Sequence, residues 1–194
     1  MAHVRLFCGP DRSPRAAEVD GILREHWDRA RLIVPTRAAA RARTEALLVG
    51  SGYPGAWGQP VQEFNDFVLD LLEGEGVHVR RLDNYERYLL LERCLTESEL
   101  SPTLPLRGTT THLLRVITQL KQAAIEPQDF RAGIERTKEP SPFDALVAEA
   151  YQKYQDKLHR DQAYDVPGLY WRAHELCTQS TPKYLDAVDT LLFD

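Results

Sequence analysis

The residues between Gly9 and Ala16 follow the order of a phosphate-binding loop but lack most of the side chains that such a loop uses. A working loop has the pattern G-x-x-x-x-G-K-[ST], in which the lysine neutralises the phosphates and the hydroxyl holds Mg²⁺. Aligned on Gly9, this chain instead has Pro14, Arg15 and Ala16, of which the proline cannot donate an N–H and the alanine cannot ligate a metal. We expect at most weak binding of ATP or Mg²⁺, and the alternative is an ordinary turn from strand to helix. The candidate phosphate-binding residues are Gly9, Ser13, Arg15 and Ala16.

A second group of polar residues opens the next predicted helix. Thr36 follows the apolar run LIV and can cap that helix, while Arg37 and Arg41 are four residues apart and therefore share a helix face. A hydroxyl, exposed backbone N–H groups and arginines at the start of a helix can bind a nucleic-acid phosphate. The alternative is a capped helix whose polar face is only solvated.

Asp194 ends the sequence directly after the apolar run TLLF. A carboxylate at the carboxyl end of a buried parallel strand can organise Mg²⁺ and water beside a bound nucleotide, as the Walker B acid does. Many strands end in aspartate, so the significance of Asp194 depends on its pairing with the opening loop.

Composition and charge describe an ordinary globular chain of 194 residues. The formal net charge is −5, which argues against a free-standing module that binds nucleic acid through bulk electrostatics. The three cysteines and six histidines show no metal-ligand spacing and no C-x-x-C pair, so we expect neither a metal site nor a disulfide framework. The chain has no apolar run long enough to cross a membrane and no apolar signal-peptide region, so we expect a cytoplasmic protein.

The first part of the chain alternates predicted strands and helices. HVRLFC is a strand candidate, a helix is predicted from Pro14, ARLIV is a second strand, and a helix capped by Thr36 is predicted to run through Leu48. This β-α-β-α order implies a parallel sheet with right-handed crossovers. A loop rich in glycine and proline follows at residues 50–60, and the next apolar residues fall on one helical face. That face consists of Val61, Phe64, Val68, Leu71 and Leu72.

The pattern is helical throughout from about Asp83 to His159. The strongest helix prediction begins at Ser141, which caps the helix, while Asp144 completes a pair of the capping-box type. Asp161 and Asp165 precede a last amphipathic helix, and we interpret them as residues that cap it.

The strand pattern returns only at the end, where Thr190–Phe193 is predicted as a buried strand. We therefore predict an α/β chain in which a helical block interrupts a parallel sheet. Its segments are residues 1–82, which open the sheet, residues 83–160, which form the helical insertion, and residues 161–194, which return to the sheet. Because the sequence stops at the end of a core strand, we expect the N-terminal piece of a longer protein.

In their order, these motifs resemble the N-terminal region of AddB-type subunits of bacterial helicase–nuclease complexes, which are related to superfamily 1 helicases of the UvrD/Rep type. FCGPDRSPRAAEV stands in place of the Walker A turn, and ARLIVPTRAAARARTEALL stands in place of the strand and helix called motif Ia. LLRVITQLKQAAIEPQDF is similar to a helical stretch that ends in Gly-Ile or Ala-Ile, proline, an acid and an apolar residue. YQKYQDKLHRDQAYDVPGLYWRA is similar to a Tyr-x-x-Tyr helix followed by an acid that opens the next helix. DTLLFD resembles the strand that carries the Walker B acid, here Asp194.

The resemblance implies a RecA-like P-loop NTPase sheet, called domain 1A, with a helical insertion called 1B. It further implies a second helicase-like domain and often a PD-(D/E)XK nuclease, neither of which lies in these 194 residues. The implied role is DNA double-strand-break processing and recombinational repair, with an AddA-type helicase subunit as partner. Members with a decayed loop imply a DNA-guiding scaffold without ATP hydrolysis. The residues implied to contact DNA are Thr36, Arg37 and Arg41.

Two other functions stay open at this point. One is a true P-loop ATPase or phosphotransferase in which Arg15 replaces the lysine. The other is a non-catalytic α/β scaffold with a helical protein-interaction block and no role with nucleic acid.

Overall fold

The protein forms two compact units in a computed structural model. The described residues are 14–51, 58–97, 106–139 and 141–194. The first unit contains the described residues up to Gly76 and those from Leu176 onward, and the second contains those from Val77 to Glu175. Each unit has its own hydrophobic core.

Helices dominate the secondary structure. In chain order the elements are α1 (Pro14–Glu25), β1 (Ala30–Val34), α2 (Arg37–Ser51), β2 (Val61–Glu63), α3 (Phe64–Gly74), β3 (Arg80–Arg81), α4 (Asn84–Thr96), α5 (Leu106–Gln122), α6 (Pro127–Glu135), α7 (Pro142–Arg160), β4 (Ala163–Tyr164), α8 (Val166–Gln179), a 3₁₀ helix (Lys183–Ala187) and β5 (Thr190–Phe193). The predicted strand at residues 3–8 lies outside the described residues, as do Gly9 and Ser13.

A three-stranded parallel sheet forms the centre of the first unit, in the order β2-β1-β5. Val34 of β1 is in register with Glu63 of β2, and Ile33 is in register with Phe193 of β5. The prediction of an α/β chain with a parallel sheet is confirmed at this level. The chain returns to the sheet beside β1 after the second unit, as the last strand pattern indicated.

The alternation of side chains along β1 gives the sheet two apolar faces. Leu32 and Val34 pack with Leu23 of α1, Leu47 of α2 and Leu192 of β5. Val19 and Ile22 of α1, and Trp27 shortly after it, are partly buried against the same cluster. Ile33 belongs to a different cluster, with two residues of α3, Phe67 and Leu71.

Contacts of the residues directly before β5 hold the returning chain in place. Before the strand, Tyr184 of the 3₁₀ helix donates a hydrogen bond from its hydroxyl to Gln62 Oε1 at 2.9 Å and contacts Phe67 edge-on, with ring centroids 6.0 Å apart. At the start of the strand, Arg29 Nε lies 2.6 Å from Asp189 Oδ2. These contacts fix the register that carries Asp194 to the end of β1.

Two local predictions are wrong in the first unit. Val61 was predicted on a helical face, but it belongs to β2, because a three-residue strand passes directly into α3 without an intervening loop. The strand at Thr190–Phe193 was predicted to be buried, but only Leu192 is buried, and Phe193 is 65% exposed. Such a short strand carries too few residues to show a period in the sequence.

The second unit is a helical bundle with one short parallel strand pair, β3 with β4. Its core is formed mainly by α4, α5 and α7, with Leu91, Ile117 and Tyr154 among the fully buried residues. The predicted cap of α7 is confirmed, because Ser141 Oγ accepts from Asp144 N at 3.1 Å while Asp144 Oδ2 accepts from Ser141 N at 2.9 Å.

None of the helices in the described ranges is both long and apolar enough to traverse a lipid bilayer. The assignment of residues 1–82, 83–160 and 161–194 to helicase domains stays a prediction.

Candidate nucleic-acid interface

The polar residues that follow the parallel strands of the first unit come together at one edge of the sheet. Strands that run parallel end at the same edge, and ligands of open α/β sheets bind outside their carboxyl ends. Asp194 is tied to this edge because its backbone N–H donates to the carbonyl of Ile33 at 3.1 Å. We call this region the carboxyl edge, and it consists of Thr36, Arg37, Glu63, Asn65, Asp66 and Asp194.

Thr36 caps α2, as predicted. Its Oγ1 accepts a hydrogen bond from the backbone N–H of Ala39 at 3.1 Å, and its carbonyl accepts from Ala40 N at 3.0 Å. The cap uses a lone pair of the hydroxyl and not its proton, so the same oxygen can still act as a donor toward an anion.

Arg37, the first residue of α2, makes a two-point ion pair with Asp66 of α3. Nη2 of Arg37 is 2.6 Å from Asp66 Oδ1, and Nε is 3.1 Å from Oδ2. The Arg37 side chain is 73% exposed, whereas that of Asp66 is 34% exposed. The hydrogen bond to Asp66 raises the pKa of the Arg37 guanidinium, which therefore keeps its charge under all physiological conditions.

Glu63 places a second carboxylate at the same edge. It is the last residue of β2, is buried, and accepts a hydrogen bond at Oε1 from the side-chain amide of Asn65. Its negative charge also contributes to the raised pKa of Arg37. The carboxyl edge therefore combines one arginine with the carboxylates of Glu63, Asp66 and Asp194.

The other arginines of α2 contact carboxylates away from this edge. Arg41 pairs with Glu45 one turn further along the helix, with Nε 2.9 Å from Oε1. Arg43 links α2 to α1, because its Nη2 is 2.6 Å from Asp20 Oδ1 and 3.5 Å from the carbonyl of Ala16. Thr36 and Arg37 thus lie together at the carboxyl edge, whereas Arg41 forms a separate ion pair with Glu45.

The residues of the predicted phosphate loop are described only in part. Gly9 and Ser13 lie outside the described residues, and for Arg15 only its place in the first turn of α1 is described. Ala16 follows Arg15 in that turn, at the position where a working loop has a hydroxyl. In the described part of the chain, no three His, Cys, Asp or Glu side chains are close enough together to hold a metal ion.

The sequence alone did not predict Glu63, Asn65 and Asp66 as residues of this site. The sequence signal that could have identified them is the run of polar residues after Val61 in VQEFND, at the start of an apolar helix. Such a run marks the carboxyl end of a parallel strand only if β2 is recognised as a strand. With three residues, β2 is too short to be recognised from the sequence.

The second unit contains a buried polar network around Lys121 and Asp165. Lys121 Nζ donates to Asp165 Oδ1 at 2.7 Å and to Gln155 Oε1 at 2.9 Å, and both charged side chains have no exposed surface. The predicted capping role of Asp165 is confirmed, because Oδ1 also accepts from the backbone N–H of Gly168 at 2.9 Å. Burial lowers the pKa of Lys121, and the neighbouring carboxylate opposes that shift.

Hydroxyl and guanidinium groups extend this network across the bundle. Tyr154 donates to Asp165 Oδ2 at 3.2 Å, and Arg87 of α4 donates from Nε to the Tyr154 hydroxyl at 3.3 Å and from Nη2 to Thr118 at 2.7 Å. Burial, and then the charge of Asp165, raise the pKa of Tyr154 well above its ordinary value.

A cavity of about 350 Å³ lies beside Lys121, with Gln155, His159 and Trp171 among its lining residues. The ammonium of Lys121 is turned to its hydrogen-bond partners and lies 5.3 Å from the centre of the Trp171 ring. Because these contacts satisfy the buried charges within the protein, we interpret the network as a structural element of the bundle.

The sequence matches none of the protein-family models with which it was compared, and no curated protein is significantly similar to it. The resemblance to AddB-type subunits therefore stays a prediction that depends on the motifs themselves.

Proposed function

We propose that the chain is the helicase-like N-terminal region of an AddB-type subunit that acts in DNA double-strand-break processing and recombinational repair. In this proposal the first unit contains part of a RecA-like 1A domain, and the second unit corresponds to the helical 1B insertion. The carboxyl edge contacts the backbone of single-stranded DNA without ATP hydrolysis, and an AddA-type helicase subunit supplies the motor.

The observation that carries the proposal is the return of the chain to the parallel sheet after a helical unit. β5 pairs with β1, although the second unit separates these strands in the sequence. An inserted helical domain in a nucleotide-binding type of sheet has this order. The pairing brings Asp194 to the edge that Thr36 and Arg37 also occupy, which is where parallel α/β sheets bind their ligands.

The start of α1 supports a chain that does not hydrolyse ATP. α1 begins at Pro14, so Arg15 and Ala16 lie in its first turn. Ala16 offers no side-chain oxygen to Mg²⁺, and an arginine keeps the charge of the usual lysine without the compact geometry of an ammonium.

Binding of single-stranded DNA tests the nucleic-acid part of the proposal. A fluorescent oligothymidine of about 16 nucleotides is titrated with the chain, and anisotropy is measured at several salt concentrations. We expect the double variant Arg37→Ala with Arg41→Ala to bind more weakly and with a shallower salt dependence, by about 0.7 in logarithmic slope for each lost phosphate contact.

A matched variant controls for the loss of positive charge. Arg131→Ala with Arg136→Ala removes two exposed arginines of the second unit and changes the net charge by the same amount. Equal affinity of the wild-type chain and the Arg37, Arg41 variant at low salt would contradict the proposed role of the carboxyl edge. Equal losses in both double variants would indicate only bulk electrostatics.

Phosphate release in the presence of Mg²⁺ and ATP tests the absence of hydrolysis. We expect no release above that of a buffer control and only weak ATP binding. Tight ATP binding that disappears in Arg15→Ala, or steady phosphate release, would instead favour the active ATPase.

A further inference from the structure

We infer that Asp66 competes with nucleic-acid phosphate for Arg37, so that the Arg37–Asp66 ion pair opens when the carboxyl edge binds DNA. The inference rests on the proposed function and adds the residue that limits the affinity of the site. It assigns Asp66 the role of an internal anion that occupies the guanidinium until a phosphate displaces it.

The geometry of the pair matches that of the ligand it would exclude. Asp66 contacts Arg37 through both carboxylate oxygens, with Nη2–Oδ1 at 2.6 Å and Nε–Oδ2 at 3.1 Å. A phosphate group is recognised by the same fork of guanidinium donors, also through two oxygens. The two anions therefore cannot use Nε and Nη2 of Arg37 at the same time.

The positions of the two residues in their helices make the exchange feasible. Asp66 lies in the first turn of α3, where the helix dipole favours a negative charge even after Arg37 has left. Arg37 is the first residue of α2, where the dipole disfavours a positive charge. Arg37 is thus stabilised by whichever anion is next to it, whereas Asp66 depends less on its partner.

Exposure indicates that the pair opens at low cost. The Arg37 side chain is 73% exposed and that of Asp66 is 34% exposed, so both can be rehydrated without rearrangement of the core. Exposed ion pairs contribute little to stability because water and salt screen them. A phosphate that brings further backbone contacts can therefore displace the carboxylate.

The charge balance of the carboxyl edge adds a second reason. Among its described residues, Arg37 is the only cation and faces Asp66 directly, while Glu63 and Asp194 add negative charge. The Asp66 carboxylate therefore both occupies the guanidinium and repels an approaching phosphate. Removal of the Asp66 charge both frees the guanidinium and reduces that repulsion.

The substitution Asp66→Asn tests the inference, because asparagine has nearly the same shape without the charge. We expect Asp66→Asn to bind the oligothymidine about two- to fivefold more tightly at low salt, which is the range that an exposed ion pair can supply. Glu73→Gln is the control, since Glu73 is an exposed residue of the same helix and its loss changes the net charge equally. We expect a smaller effect from Glu73→Gln.

The double variant Arg37→Ala with Asp66→Asn distinguishes the inference from the proposed function. If Asp66 acts through Arg37, the gain of Asp66→Asn disappears when Arg37 is absent. The inference is overturned if Arg37→Ala weakens binding but Asp66→Asn lowers the affinity or leaves it unchanged. The proposed function would then stand, and Asp66 would only orient Arg37. If Arg37→Ala itself has no effect, the proposed function of this edge is wrong. A gain in Asp66→Asn that persists without Arg37 would show general charge repulsion and would also overturn the inference.

Discussion

Asp165→Asn is the single substitution from which we expect the largest loss of stability in the second unit. The asparagine keeps the shape of the side chain and an oxygen that can cap α8 through the N–H of Gly168. It removes the negative charge that lies 2.7 Å from Lys121 Nζ. The variant therefore isolates the effect of leaving a buried ammonium without its counter-ion.

The expected magnitude follows from the complete burial of the pair. Neither side chain has exposed surface, and after the substitution Lys121 has only neutral acceptors, which are Gln155 and the amide oxygen that replaces the carboxylate. Removing one partner of a buried ion pair costs about 3–5 kcal/mol. Domains are stable by only about 5–15 kcal/mol, so this loss is a large fraction of the total.

Urea unfolding followed by far-ultraviolet circular dichroism at neutral pH measures the effect. We expect the double variant Lys121→Met with Asp165→Asn to recover most of the stability, because both charges are then absent and the two substitutions are coupled. Asp129→Asn, at an exposed position in the first turn of α6, is the control and should cost about 0.5 kcal/mol or less. A loss below about 1 kcal/mol in Asp165→Asn, or additive losses in the double variant, would show that the buried pair does not stabilise the bundle in this way.

Three further predictions concern the ends of helices and a buried thiol. Burial raises the pKa of the Cys94 thiol from 9.0 to about 11, so between these pH values the folded state keeps a proton that the unfolded state loses. The free energy of unfolding should therefore fall from pH 9 to pH 11 in the wild type and fall less in Cys94→Ala. Urea unfolding across that pH range measures the difference. Ala124 has a φ of 55°, in the left-handed region where a Cβ causes strain, so Ala124→Gly should stabilise the chain by about 0.5–1 kcal/mol in urea unfolding. Ala132→Gly, inside α6, is the control and should destabilise the chain by a similar amount. Ser141→Ala removes the acceptor for Asp144 N and should cost about 1 kcal/mol in the same assay, with an unchanged midpoint contradicting the role of the cap.

Elements with clear caps or a long apolar period were predictable from the sequence. The helix that begins at Pro14, the Thr36 cap of α2 and the capping box of α7 all agree with the structure. These features depend on residues within one or two turns of each other, so the sequence contains the whole signal. β2 could not be found in this way, because its three residues are fixed by pairing with β1 rather than by any local preference.

The candidate site was predictable only where a single element defines it. Thr36 and Arg37 follow β1 and open α2, and both were found from that local order. Asp66 is 29 residues from Arg37 in the sequence, and the two meet because β1 and β2 are parallel neighbours whose helices start at the same edge. A contact of this kind depends on the strand order, which the sequence alone does not specify.

The motifs that carry the resemblance in the second unit meet around the end of α5, and the structure gives them a physical reason. Ala124, two residues after the end of α5, is in the left-handed region, and Ile125 N donates back to the carbonyl of Leu120 at 3.0 Å. The carbonyl of Ile125 accepts from Tyr151 at 2.8 Å, and the carbonyl of Lys121 accepts from the indole N–H of Trp171 at 2.9 Å. The contacts of the Leu120 and Lys121 carbonyls satisfy backbone groups that the end of a helix leaves without partners, and Tyr151 does the same for a carbonyl of the loop that follows.

The two tyrosines of the Tyr-x-x-Tyr pair of α7 therefore bind two different acceptors. Tyr151 binds the end of α5, and Tyr154 binds Asp165, which in turn caps α8 and neutralises Lys121. Tyr154, Asp165 and Lys121 are buried, so the replacement of one leaves another without its partner at a cost that apolar residues at the same positions would not incur. The pattern of tyrosines and acid is thus explained by the folding of this bundle, whereas at the carboxyl edge of the sheet the Arg37 side chain remains 73% exposed.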